Sequence, residues 1–389
     1  MRGANTMRRF ALTMALLVAA VCACLAAGCG ATAAVAGMGI AMGGTASVSA
    51  SATPTSAVWD ASAENLADGC SLSISEDSLT IETDGLGAVL AVNGGEATLS
   101  NADIVTTGVA SIPLAVDRGG AGITATDCRV VSSGGESPCL YSTGDMVIQG
   151  GVYEAMVSEA AVVEGDGSLM VAEAALSSKS NDGAVLLFST ATDGTTTALG
   201  SFTMEGGALV YADRHGSLFT VSNCTCVISL SKVDMAALSG QLLTAAAGEW
   251  GAPGSNGGHA VLHADNQQLA GVLSADALST LDMSLQNGSS LSGSINPTGM
   301  AAEAHLTLDA SSTWKVSEDS HLTSLTLIDV EPGDTIANII GCGHIVTYDP
   351  DCPASSALGG RTYSLNGGGC LVPAVQQEPT TPISREEDR

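Results

Sequence analysis

The chain has 389 residues, with 47 glycines, only 3% aromatic residues and a formal net charge of −28. So few large rings argue against one globule of this length and suit a core of stacked thin layers built from small and aliphatic side chains. Forty acidic residues against 12 basic ones exclude a surface that grips nucleic acid or anionic lipid through phosphates, which requires Lys and Arg.

The chain opens on a basic segment, MRGANTMRRF, with Arg2, Arg8 and Arg9, followed by the apolar run 11–27. That order is the pattern of a secretory signal. The run ends in LAAGC, from Leu25 to Cys29. Small residues before a cysteine, directly after an apolar run, resemble the lipobox of bacterial lipoproteins. The resemblance implies removal of a signal peptide, residues 1–28, lipidation of Cys29 and a membrane held through that lipid. Ala26 stands where that family prefers leucine, and Leu25 is one place early. No charge occurs from Phe10 to Trp59, so two other outcomes stay open. Ordinary signal peptidase can cut after Ala36, or the segment can stay as an uncleaved anchor, since about 18 or more apolar residues can span a bilayer. Gly and Ala dominate beyond Cys29, which disfavours spanning there. Residues 29–58 form a tether rich in Gly, Ala, Ser and Thr, flexible by composition. Each of these routes exports the body to the cell envelope or surface.

From Trp59 the pattern changes. SLSISEDSLTIETDG places apolar residues at Leu72 and Ile74, then at Leu79 and Ile81. Period two marks strands, and clusters of Asn, Asp, Gly and Ser mark turns between them. Apolar runs open at Ala88, Ile112, Pro138, Ala161 and Ala184, a nearly fixed interval. Leu262, Leu285 and Leu308 then follow at equal spacing. Aligning LQNGSSLSGS (285–294) with LDASSTWKVS (308–317) sets Leu291 opposite Trp314. A repeat this short, without a helix, is too small for a propeller blade and lacks the recurrent Asn or Cys of a leucine-rich repeat. The expectation is an all-β solenoid over 59–373, in coils of about 23 residues whose short strands pair in parallel with their copies one coil up. About 13 or 14 coils at ~4.8 Å each predict a rod roughly 60–70 Å long. The handedness of parallel crossovers favours a right-handed winding by extension.

One stretch interrupts the repeat: GEWGAPGSNGG, residues 248–258. No Lys follows its glycines, so it is not a phosphate-binding P-loop, and no helix follows for a dinucleotide fold. It reads as a loop between coils, with Pro253 stiffening one corner and Trp250 over its base. This loop, then HADNQQLAGVLSADALSTLDMSLQNGSSLSG, STWKVSEDSHLTSL and GGRTYSLNGGGCLVPA, resembles the adhesin-like β-helix surface proteins of gut bacteria. The likeness covers about 240–374 and is looser over 59–239. It implies a right-handed parallel β-helix of the pectin-lyase type; "adhesin" in that family is a label drawn from architecture.

The candidates for chemistry are few. Glycosidases need two carboxylates facing one sugar, and lyases need acidic Ca²⁺ ligands beside a base. Asp349 and Asp351 flank Pro350 in an ordinary turn, and the basic residues beyond the signal are scattered. His259 and His263, in HAVLH, would lie ~13 Å apart on a strand, too far to share a metal. Cys342-Gly-His344 with Cys352 and Cys370 has no metal-site spacing. No catalytic residue, metal ligand or cofactor is expected.

Of 11 cysteines, Cys22, Cys24 and Cys29 belong to the signal region. Among the other eight, Cys342 and Cys352 bracket a turn and are the best disulfide pair. Cys224 and Cys226 face one side of a strand, where so short a bridge would be strained, and buried cysteines also serve as small core fillers. The tail 374–389 is polar and patternless, as in disordered segments. The expected function is a surface-exposed, non-catalytic binding or spacer role, with glycans or surface proteins as partners. The alternative is a carbohydrate-active β-helix enzyme, a polysaccharide lyase or glycoside hydrolase.

Overall fold

The computed structural model describes residues 62–117, 120–192, 198–330 and 333–374. The expected signal peptide 1–28, Cys29, the whole expected tether 29–58 and the tail from 375 lie outside these residues. The described chain is a parallel β-solenoid of about 12 turns, with about 25 residues between turns. The first face stacks nine strands, from Ser62–Asp68 to Val272–Ala275. The second stacks eleven, from Ser71–Ser75 to Ser324–Ile328. The third begins as seven strands, from Ser78–Ile81 to Asp234–Ala237, and an eight-stranded sheet starting at Gln268–Ala270 follows it. At ~4.8 Å per strand the second face runs about 50 Å along the stack. The carboxyl-terminal end closes differently. Tyr363–Asn366 pairs antiparallel with Cys370–Pro373, and a short 3₁₀ helix, Pro353–Leu358, lies against the last strand of the second face through Ser355 and Ala354.

The alternation read from the sequence governs the second face. In Ser71–Ser75 the leucine and isoleucine are buried and the three serines exposed. Corners are turned at residues that tolerate the left-handed region, such as Asn93 (φ +52°) and Asn287 (φ +56°). Inside, equivalent positions stack coil upon coil. Leu285 lies opposite Ala264 below and Leu308 above, and Leu291 lies opposite Trp314, as the repeat alignment expects. Trp314 is fully buried, and its indole N–H donates to the Gly293 carbonyl at 3.0 Å. Leu262 departs from the expectation: its partner is Met283, because that coil is shorter by two residues than the one after it. Side chains alternate with period two, so a shift of two residues moves Leu262 to the neighbouring inward column without exposing it.

The first face differs. Leu86–Val92 is buried almost throughout, and Leu90 and Val92 cluster with Ile112 and Ala115 apart from the main core. With apolar side chains on both sides, such strands read as continuous apolar runs. That is why AVLAV and IPLAV stand out as blocks in the sequence. Partners on the second face recur at a similar interval from coil to coil, with two exceptions. Ser168 pairs with Ser201 and Thr225 with His259, each partner arriving late because the chain makes a long turn first. These two long turns, with early coils slightly longer than expected, make the coils fewer than the sequence pattern predicts.

Candidate functional site

Both long turns lie where the first face passes into the second. One follows the strand Gly183–Phe188 and the other follows Gln241–Ala245. They are separated by one coil, whose own corner carries Asn223 in the left-handed region (φ +52°). The Asn223 amide side chain donates to the Ser189 carbonyl at 2.6 Å and to that of Ala191 at 3.0 Å. Its backbone N–H donates to the Asn256 carbonyl at 3.2 Å. One residue thus ties the two extra segments together. Within the second, the Asn256 side chain, 4% exposed, donates to the carbonyls of Gly248 (2.9 Å) and Trp250 (2.8 Å). Trp250 lies against Phe188, ring centroids 4.2 Å apart and tilted by 38°. Beneath the loop the Ser222 hydroxyl is buried and has no hydrogen-bond partner.

The glycines of GEWGAPGSNGG are explained by close approach. A Cβ on Gly251 (φ +81°) would stand 2.3 Å from the Asn223 side-chain oxygen. One on Gly258 would stand 2.2 Å from the Val221 carbonyl oxygen. The stretch is therefore a built crown on a corner of the solenoid, and Trp250 covers Phe188 where the sequence placed it over the loop base.

Asp276 anchors the crown from the next corner. Its carboxylate accepts from the backbone N–H of Ala247 at 2.8 Å and of Leu278 at 3.1 Å. Partial burial works against its charge, but the side chain of Ser279 and these two amides outweigh that and hold its pKa below the usual carboxylate range. A depressed folded pKa contributes stability that is present above the unfolded value of about 3.9 and lost as pH falls through the lower folded value. Asp276→Asn is therefore expected to lower stability by about 1 kcal/mol at pH 7, after allowance for solvent screening. Melting temperatures of the two proteins should converge as pH falls below the lowered pKa of folded Asp276.

The remaining candidates are placed as follows. His259 and His263 lie on the strand His259–Asp265, on the solvent side, and the ring Nδ1 of His263 is 2.8 Å from the Ser284 hydroxyl. Asp349 accepts from the Asp351 backbone N–H at 2.9 Å, an ordinary turn bond. Among the described residues no group of three or more His, Cys, Asp or Glu is placed to hold a metal ion. The expected Cys342–Cys352 bridge is not formed; both are free thiols. What reads as a turn between them contains the strand Ile345–Tyr348. Four extended residues at ~3.3 Å each already exceed the roughly 4.4–6.8 Å Cα separation a bridge tolerates. Instead Cys224 and Cys226, directly after Asn223, are joined, with Cα atoms 5.8 Å apart and both side chains buried.

The outer side of the second face is a hydroxyl-rich wall. One outward column runs Ser73, Thr98, Thr124 at its start and Ser284, Thr307, Thr326 at its end, with acidic Glu96, Asp145 and Asp282 in the column beside it. Sequence reasoning singled out Trp250 but missed Asn223 and Phe188. The signal was the spacing itself: after AVLLFST the next inward pair, Phe202 and Met204, comes late by most of a strand and its turn.

No protein-family model matches the chain, and no curated protein or solved structure matches it.

Proposed function

We propose that the protein is a non-catalytic, adhesin-like β-helix of the right-handed pectin-lyase type, displayed on a bacterial cell surface through a lipid on Cys29, and that its crown binds neutral glycan. The crown itself supports this reading. Extra chain enters the same corner twice, is pinned by one asparagine, and carries one of only three tryptophans in the chain. A regular rod needs no such additions for stability, and loops on a rigid scaffold are where recognition concentrates. A partly exposed aromatic ring on a corner loop suits stacking on the apolar faces of sugars. The hydroxyl wall of the second face offers a second, weaker contact surface.

The test is a glycan array of the purified protein, run beside assays for reducing and unsaturated sugars. Binding without turnover is the expected result. Cleavage of any polysaccharide would replace this reading with the lyase or hydrolase alternative.

Anchoring is tested separately. A single acyl chain binds membranes only marginally, so two or three chains are needed to hold the protein. Cys29→Ala is expected to move the protein from the membrane fraction to the medium, or to leave an uncleaved precursor. Mass spectrometry of the native amino terminus decides it: a free terminus after Ala36 overturns the lipid anchor.

A further inference from the structure

A groove of about 350 Å³ runs over the outer side of the first face, across the first four coils. Ala63, Leu90, Ile112, Ala115, Pro138 and Tyr141 form its apolar walls, and Glu136 is the one charged residue among the described lining residues. Next to Leu90 in the same outward column, Leu66 is 39% exposed. Gly85 keeps one side open, since a Cβ there would meet nothing within 4 Å. The groove asks for a large uncharged ring, and the other two tryptophans are already placed: Trp314 in the core and Trp250 on Phe188.

We propose that Trp59 of this chain occupies the groove and locks the tether to the rod. The described chain begins at Ser62, and Ser62 is itself part of the groove lining. Trp59 stands three positions before it, a reach of about 10 Å at ~3.3 Å per residue. Trp59 is the first aromatic residue after Phe10 and ends the uncharged tether. A tryptophan buries about 150–250 Å² of surface, a good match to a groove this size. A second copy of the chain is disfavoured as occupant. Stable association needs about 800 Å² per partner, and two chains of net charge −28 repel. The consequence is mechanical. Force on the tether would then load four coils at once through Trp59, in place of peeling the edge strand Ser62–Asp68 from its single neighbour.

The experiment needs no glycan and is independent of the binding proposal. The emission of full-length protein minus that of Trp59→Phe isolates the Trp59 signal. It is expected to be blue-shifted and several-fold less quenched by acrylamide than free tryptophan, at every protein concentration. Ala63→Phe fills the groove, and Ile112→Ser removes part of its wall without adding bulk. Measured in either background, with an unchanged far-ultraviolet spectrum, the same difference signal should move to the red and become fully quenchable. A solvent-like Trp59 in the parent protein overturns the proposal. So does a buried signal that neither groove variant moves, or one that appears only at high concentration.

Discussion

Leu285→Asp is expected to unfold the carboxyl-terminal half of the solenoid, with loss of the β signal in circular dichroism and of the melting transition. Leu285 is fully buried between Ala264 and Leu308, in a column that continues to Leu327. The substitution removes a packed side chain, worth roughly 2–5 kcal/mol in cores, and puts an ionisable group where nothing pairs with it. A domain is stable by only about 5–15 kcal/mol, so a cost of several kcal/mol at one rung is a large share of the total. The repeat makes the effect spread. Each coil is held chiefly by its two neighbours, so a broken rung uncouples the coils on either side. Leu285→Met, close in volume, is expected to cost less than about 1.5 kcal/mol. An Asp variant that melts with the parent would show that the inward columns do not carry the stability.

Trp250→Ala carries the second large effect, and it falls on recognition. The ring lies on Phe188, and Asn256 holds the backbone carbonyl of the same residue at 2.8 Å. Removing the ring uncovers Phe188 and deletes the plate on which a sugar would stack, while the hydrogen-bonded loop backbone remains. A loss of tenfold or more in glycan affinity is expected, equivalent to about 1.4 kcal/mol or more. Stability should fall by a similar amount, since an aromatic pair contributes about 0.5–1.5 kcal/mol beyond its buried area. Trp250→Phe should keep most of both. Asn223→Ala should weaken binding as well, with Trp250 intact, because both long turns lose their shared tie. If glycan binding survives Trp250→Ala unchanged, the crown is not the binding surface, and the hydroxyl wall of the second face becomes the candidate.

These two residues also mark how far the sequence could be read. Leu285 was legible because burial imposes a period: one inward residue in two along each strand, and one matching strand per coil. Any sequence that offsets the entropy of ordering a thin rod must repeat those apolar positions, so the solenoid, its parallel stacking and the pairings Leu285–Leu308 and Leu291–Trp314 follow from pattern alone. The absence of a P-loop or dinucleotide motif at GEWGAPGSNGG was legible for the same local reason, since those motifs require a lysine or a following helix. Register within a coil was not. Leu262 slipped to the next inward column because a shift of two residues keeps every apolar side chain buried and leaves no trace in the pattern. Cysteine pairing was not legible either. It depends on Cα separations, and the strand Ile345–Tyr348 parts Cys342 from Cys352 between two turn residues, Gly343 and Pro350, that suggest a simple turn. The crown is the clearest case. Phe188, Asn223 and Trp250 are far apart along the chain, and only the stacking of coils brings them to one corner, so no local period announces them. Composition and repeat were determined by the chain's own chemistry; which loops meet was decided only when the coils stacked.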